Sequence, residues 1–243
     1  MFFYCNANCS YTILQEIRVG FCFVKRMFSQ IFILIRKDFV IDWRLKHPFT
    51  GILLYIASTI YTVYLSFDAV ITPAVWSSLF WIILLFIATT ALAKSFIQEE
   101  RRHLYYYFTI KPNVLILSKL IYSFVYLSGI GLFGLLIYII LIGRPEFSLG
   151  LFLLNFFNGV LGLSVAFTMI ASLAVHTAQK GNMMAILGFP VILPILLLAI
   201  SNSRRIVEGA VWDQISSFSL ILTSVNVIIV VLTLILFPYS WKS

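Results

Sequence analysis

An all-α integral membrane protein is the fold class this sequence predicts, and three observations predict it. Apolar residues make up 61% of the 243-residue chain and charged residues 11%. Mean hydropathy is +1.02, well beyond what the surface of a soluble domain of this size tolerates. The apolar residues are gathered into six runs, each near the roughly 20 residues that a helix needs to cross a bilayer. None of the runs alternates with period two, so they are not barrel strands. A lipid-immersed backbone must satisfy itself, which leaves the helix.

The six spans are expected at Phe49–Ser66, Ala74–Ala93, Lys119–Ile142, Leu149–Val175, Met183–Ile200 and Phe218–Phe237. They fill most of residues 49–243, so one membrane domain is expected, with a polar insert at 94–113. Ahead of it, residues 27–48 form a separate element. Phe28, Ile31, Phe32, Ile35, Phe39 and Trp43 recur at helical spacing, with Arg36, Lys37, Asp38, Asp42 and Arg44 elsewhere around the wheel. That pattern predicts an interfacial helix lying along the headgroups, ended by His47-Pro48. The sequence changes character at Met27, which sets residues 1–26 apart as an extension and makes Met27 the expected start. All three cysteines (Cys5, Cys9, Cys22) fall in that extension and indicate neither disulfide nor metal.

The net charge of +8 is a matter of topology, with no nucleic acid implied. Fourteen of the 17 Lys and Arg residues fall before the first span, in the 94–113 insert, at Lys119, at Lys180 and at Lys242. The other three are Arg144, Arg204 and Arg205. This asymmetry places the basic segments and both termini in the cytoplasm, where they also meet anionic lipid headgroups.

The insert contains QEERRHLYYYFTIKP, Gln98 to Pro112. On a helical wheel, Phe96, Ile97, Leu104, Tyr107 and Phe108 share one arc. Gln98, Glu99, Arg102 and Tyr106 fall opposite, and Glu100 intrudes on the apolar side. A short amphipathic cytoplasmic helix stopped by Pro112 is expected. Within the spans, Gly129, Gly131, Gly134, Gly159, Gly162 and Ser164 mark close helix approach. The fifth span carries Pro190 and Pro194 one turn apart, which predicts a kink or a broken helix that could line a path. No Asp or Glu sits mid-membrane, which disfavours ion-coupled transport. No G-x-x-x-x-G-K-[ST] or H-E-x-x-H motif occurs, and no nucleophile–base pairing can be argued, so no enzyme is expected. His47, His103 and His176 all lie near the cytoplasmic face. They are candidate haem ligands, and interfacial hydrogen bonding is the commoner use of such residues.

Three stretches resemble the haem exporter protein B (CcmB) family. They are IFILIRKDFVIDWRLKHP (Ile31–Pro48), SFIQEERRHLYYYFTIKPNVLILSKL (Ser95–Leu120), and Leu161–Ile200 with its Lys180-Gly181 pair and two prolines. Where many members carry glycine followed by Leu-Glu, this chain reads His103-Leu104-Tyr105-Tyr106. The resemblance implies an ABC-2-type permease subunit of a bacterial cytoplasmic (inner) membrane, serving c-type cytochrome biogenesis. It further implies a separate ATP-hydrolysing subunit (CcmA-like), a haem-handling membrane protein (CcmC-like) and a haem chaperone (CcmE-like). Haem would be substrate, with no cofactor held permanently, and ATP would act through the partner. Two membrane subunits would complete a transporter. Ser95–Thr109 of the insert then becomes a coupling helix, with Glu99, Arg102 and Tyr106 as expected contacts to the ATPase. Two alternatives stand beside this one: an ABC permease for a lipid or glycan, and a non-transporting factor that remodels a haem-loaded complex.

Overall fold

The computed structural model describes residues 30–40, 47–66, 72–99, 112–143, 147–174, 180–210 and 212–242, with side chains omitted at 47–49, 92–99, 112, 173–174, 180–187 and 238–242. Seven helices occupy them: α1 (30–40), α2 (His47–Ser66), α3 (Pro73–Glu99), α4 (Pro112–Ile142), α5 (Leu149–Ala174), α6 (Lys180–Val207) and α7 (Trp212–Lys242). Helices α3 to α7 are long and apolar enough to cross a membrane, and the apolar part of α2, Thr50–Ser66, is shorter. No strand occurs among the described residues.

Helix α5 lies at the centre and touches α3, α4, α6 and α7, while α2 packs on α3 and α4. One core runs through the bundle. It includes Ile56, Trp81, Leu84, Phe152, Phe156, Leu163, Ile195 and Leu222. The outward surface is also apolar: Ile140, Leu54, Leu220 and Phe189 are each about 70% exposed. A chain apolar inside and out is built for lipid. Many helix hydroxyls turn back onto their own helix, as Thr59 Oγ1 does to Tyr55 O and Thr233 Oγ1 to Ile229 O. This satisfies them without water.

Several boundaries differ from expectation. Helix α4 starts at Pro112, where the missing N–H is harmless and φ is preset for helix. Lys119 therefore lies inside the helix, roughly 10 Å along it at 1.5 Å per residue. Helix α3 runs on to Glu99, since nothing between Ala93 and Glu99 breaks it, so residues 95–99 extend the span instead of opening a separate insert helix. Helix α6 passes beyond Ile200 to Val207, and α7 begins at Trp212. The loop expected over Ser201–Ser217 shrinks to residues 208–211. Its polar run, Ser201 to Arg205, is the last part of a helix.

The small residues behave as expected with one exception. A Cβ on Gly131 would sit 3.0 Å from Leu84 Cδ1 and Phe156 Cζ, and one on Gly159 would sit 2.1 Å from Trp81 Cη2. Gly129 has nothing within 4 Å of such a position and marks no helix contact.

Candidate functional site

Two constellations stand out, one at the α1 end of the bundle and one in its interior. Ile31 and Leu34, three residues apart on α1, are buried with Val114 of α4, flanked by Ile35 and Leu117. One turn further along the same face comes Asp38. Its Oδ2 lies 3.0 Å from Lys119 Nζ of α4, and its Oδ1 lies 3.0 Å from Lys37 Nζ. Asp38 and Lys119 are each 7% exposed. Phe39 packs edge-on against buried Tyr122, with ring centroids 5.3 Å apart, and the Lys119 ammonium stands 5.8 Å from the same ring. Sliding α1 along α4 would strand a buried charge, so the pair fixes the register of the contact. The other side of α1 presents exposed Phe32, Ile33 and Val40. Helix α1 thus packs one face on the bundle and leaves the other exposed.

The interior carries a line of amides along α5. Asn155 is fully buried. Its Nδ2 donates to Ser203 Oγ at 2.7 Å and Ala199 O at 3.1 Å, and its Oδ1 accepts from Asn202 Nδ2 at 2.8 Å. Trp81 Nε1 also donates to Ser203 Oγ, at 2.7 Å. One turn along, Asn158 Nδ2 donates to Thr223 Oγ1 and Asn158 Oδ1 accepts from Asn226 Nδ2, both at 2.8 Å. Gly162 leaves room for Asn226, whose Oδ1 would lie 2.4 Å from a Cβ there. Deeper still, Thr168 Oγ1 reaches Ser123 Oγ at 3.2 Å. Neutral amides move no net charge. What they do is bind α6 and α7 to α5 at fixed heights, while Trp81 ties α3 to Ser203 of α6 and the Thr168–Ser123 hydroxyl pair ties α4 to α5.

The residues singled out from sequence are distributed differently. Glu99 closes α3, His47 opens α2, and Lys180 and Gly181 open α6. Their side chains, and all of His103, His176, Arg102 and Tyr106, lie outside the described residues, so neither the haem-ligand nor the ATPase-contact expectation meets a geometry here. Helix α6 is assigned without interruption through Pro190 and Pro194, and both rings are exposed on the outside of the bundle. A proline deletes one rung of the hydrogen-bond ladder, and its neighbours can carry the helix on. Among the described residues, no group of three His, Cys, Asp or Glu side chains could hold a metal.

Sequence reasoning passed over Asp38 as a partner and the asparagines entirely. The available signal was Asn155-x-x-Asn158, two amides one turn apart inside an apolar run, with Asn226 alone in another.

Compared with known proteins, residues 29–242 match the family described as CcmB protein. No curated protein and no solved structure matches the chain. The matched stretch begins just before α1 and ends with α7, so the docked helix and the amide line both lie inside the family unit. The chain belongs to the CcmB family, and is thereby a membrane component of the ABC system for haem export and cytochrome c maturation.

Proposed function

We propose that this chain is the permease subunit of that system, present in two copies and driven by a separate ATP-hydrolysing subunit beneath the cytoplasmic face. The observation that carries the reading is the family match over residues 29–242. The geometry adds a route for motion. Residues 100–111 join the end of α3 to the start of α4, and α4 carries Lys119 in its first turns. A push on the insert therefore reaches α3 and α4 directly, and reaches α1 through Asp38. The amide line then passes it from α5 to α6 and α7 as a rigid-body shift. Glu99, Arg102 and Tyr106 are the proposed docking contacts, since Arg and Tyr are frequent interface anchors.

In this reading the six helices α2–α7 span the inner membrane and the α1 end is cytoplasmic, following the charge asymmetry. The work done is export of haem or release of a haem-loaded chaperone, with CcmC-like and CcmE-like partners nearby. ATP hydrolysis belongs to the partner subunit.

Glu99→Ala with Arg102→Ala should lower co-purification of the ATPase subunit and lower its ATP hydrolysis. Unchanged recovery and turnover would remove the docking proposal. Cysteines placed at Tyr106 and Trp212 should label from opposite faces, and labelling from one face would remove the topology. Gene deletion should abolish haem-stained c-type cytochromes.

A further inference from the structure

At the end of the bundle opposite Asp38 and Lys119, α6 closes on a tight cap. Gly209 adopts φ +84°, the left-handed conformation that favours glycine. Ala210 N donates to Arg205 O at 2.9 Å and Gly209 N to Ile206 O at 3.1 Å, the paired bonds of a Schellman motif. The cap fixes the last turn of α6 and with it the directions of Arg204 and Arg205.

Beside the cap lies an open groove of about 600 Å3, lined among others by Ser201, Arg204, Arg205, Glu208 and Gln214. That volume is in the range of small-molecule sites, roughly 300–1,000 Å3. Arg204 Nε lies 2.7 Å from Glu208 Oε1, with both side chains well exposed. Arg205 lies face-on to Phe218, 4.0 Å from its ring centroid, and has no carboxylate partner among the described residues. Stacking uses the face of a guanidinium and leaves the N–H donors in its plane available for a bidentate contact. Two guanidinium groups therefore face one carboxylate, with Ser201 and Gln214 as further donors.

Favourable interaction with the helix dipole would account for two arginines in a last turn. It does not account for an open groove, or for a stacked guanidinium with no carboxylate partner among the described residues. Further along the same two helices, Leu197 of α6 and Leu220 and Ile221 of α7 are exposed and apolar. The cationic groove thus lies at the end of two helices whose surfaces are hydrocarbon.

We propose that this groove binds the oxyanion end of a membrane amphiphile: carboxylates or a phosphate ester carried at the edge of an apolar body. Two sources share that chemistry, the propionates of haem and the headgroup of an anionic lipid. The haem source rests on the function proposed above, and the site itself does not.

The test uses the full chain in phosphatidylcholine nanodiscs, titrated with haem and with haem dimethyl ester, whose carboxylates are blocked. Wild type should prefer haem. Arg204→Gln with Arg205→Gln should weaken haem binding roughly tenfold to a hundredfold, the loss of one or two charge-assisted contacts, and should erase the preference over the ester. Glu208→Gln releases Arg204 and should bind haem at least as tightly as wild type. A second arm measures retention of phosphatidylglycerol by each form. If wild type retains this lipid and ignores haem, while the double variant retains neither, the groove stands with a headgroup as its occupant and the haem source falls. If the double variant matches wild type toward both probes, or wild type binds neither, the proposal is overturned. Recovery of the ATPase subunit with the double variant should be unchanged, which keeps this result separate from the coupling reading.

Discussion

Where α1 docks, Asp38 and Lys119 are each 7% exposed and lie 3.0 Å apart. At the other end of the bundle, the side chains of Arg204 and Glu208 are 57% and 44% exposed at 2.7 Å. The shorter contact is the weaker one. Two charges in water gain little by meeting, because solvent already stabilises each. Two charges withdrawn from water lean on one another, and removing one takes from the other a contact that solvent does not replace. The first pair therefore belongs to the architecture. The second is free to exchange partners.

That contrast sets the size of the effects to be measured. Asp38→Leu takes the carboxylate from Lys119 in a buried setting and should destabilise the protein by about 3–5 kcal/mol, read by thermal unfolding in detergent. The exchange Asp38→Lys with Lys119→Asp should recover part of that loss. An Asp38 variant as stable as wild type would break the comparison at its strong end. Between the two ends, Gly159→Ala forces a Cβ to 2.1 Å from the Trp81 ring. Its expected cost is about 1–3 kcal/mol from overpacking, part of which Trp81→Phe should relieve. Asn155→Ala removes three amide contacts and should cost about 1–2 kcal/mol, the scale of buried interhelical hydrogen bonds in membranes. Arg204→Gln and Glu208→Gln should each shift stability by less than about 1 kcal/mol, and added salt should shrink the difference further. A loss at Arg204 as large as that at Asp38 would erase the distinction between the ends.

Much of this fold was legible in the sequence. Five of the six expected spans follow from apolar length, the apolar part of α2 being shorter, and the α1 segment follows from its periodicity. Small residues at 131, 159 and 162 mark close helix approach because no larger side chain fits. What was missed depended on tertiary context. Lys119 reads from sequence as a charge at a membrane boundary; only the docking of α1 shows that it is buried and answered by Asp38. Ser201 to Arg205 reads as loop because it is polar, but Asn202 and Ser203 point inward to Asn155 and Trp81 while Arg204 and Arg205 stay at the surface. A polar stretch satisfied on one side and exposed on the other carries no run of apolar residues to reveal its helix. The candidate groove was illegible for the same reason, since Ser201 and Gln214 come together only when α6 and α7 fold back on each other.

The cap at Gly209 leaves four residues, 208–211, between two helices long and apolar enough to cross a membrane. A connection that short cannot reach far from the helix ends it joins. Anything that engages this end of the bundle must therefore come to the helix ends themselves.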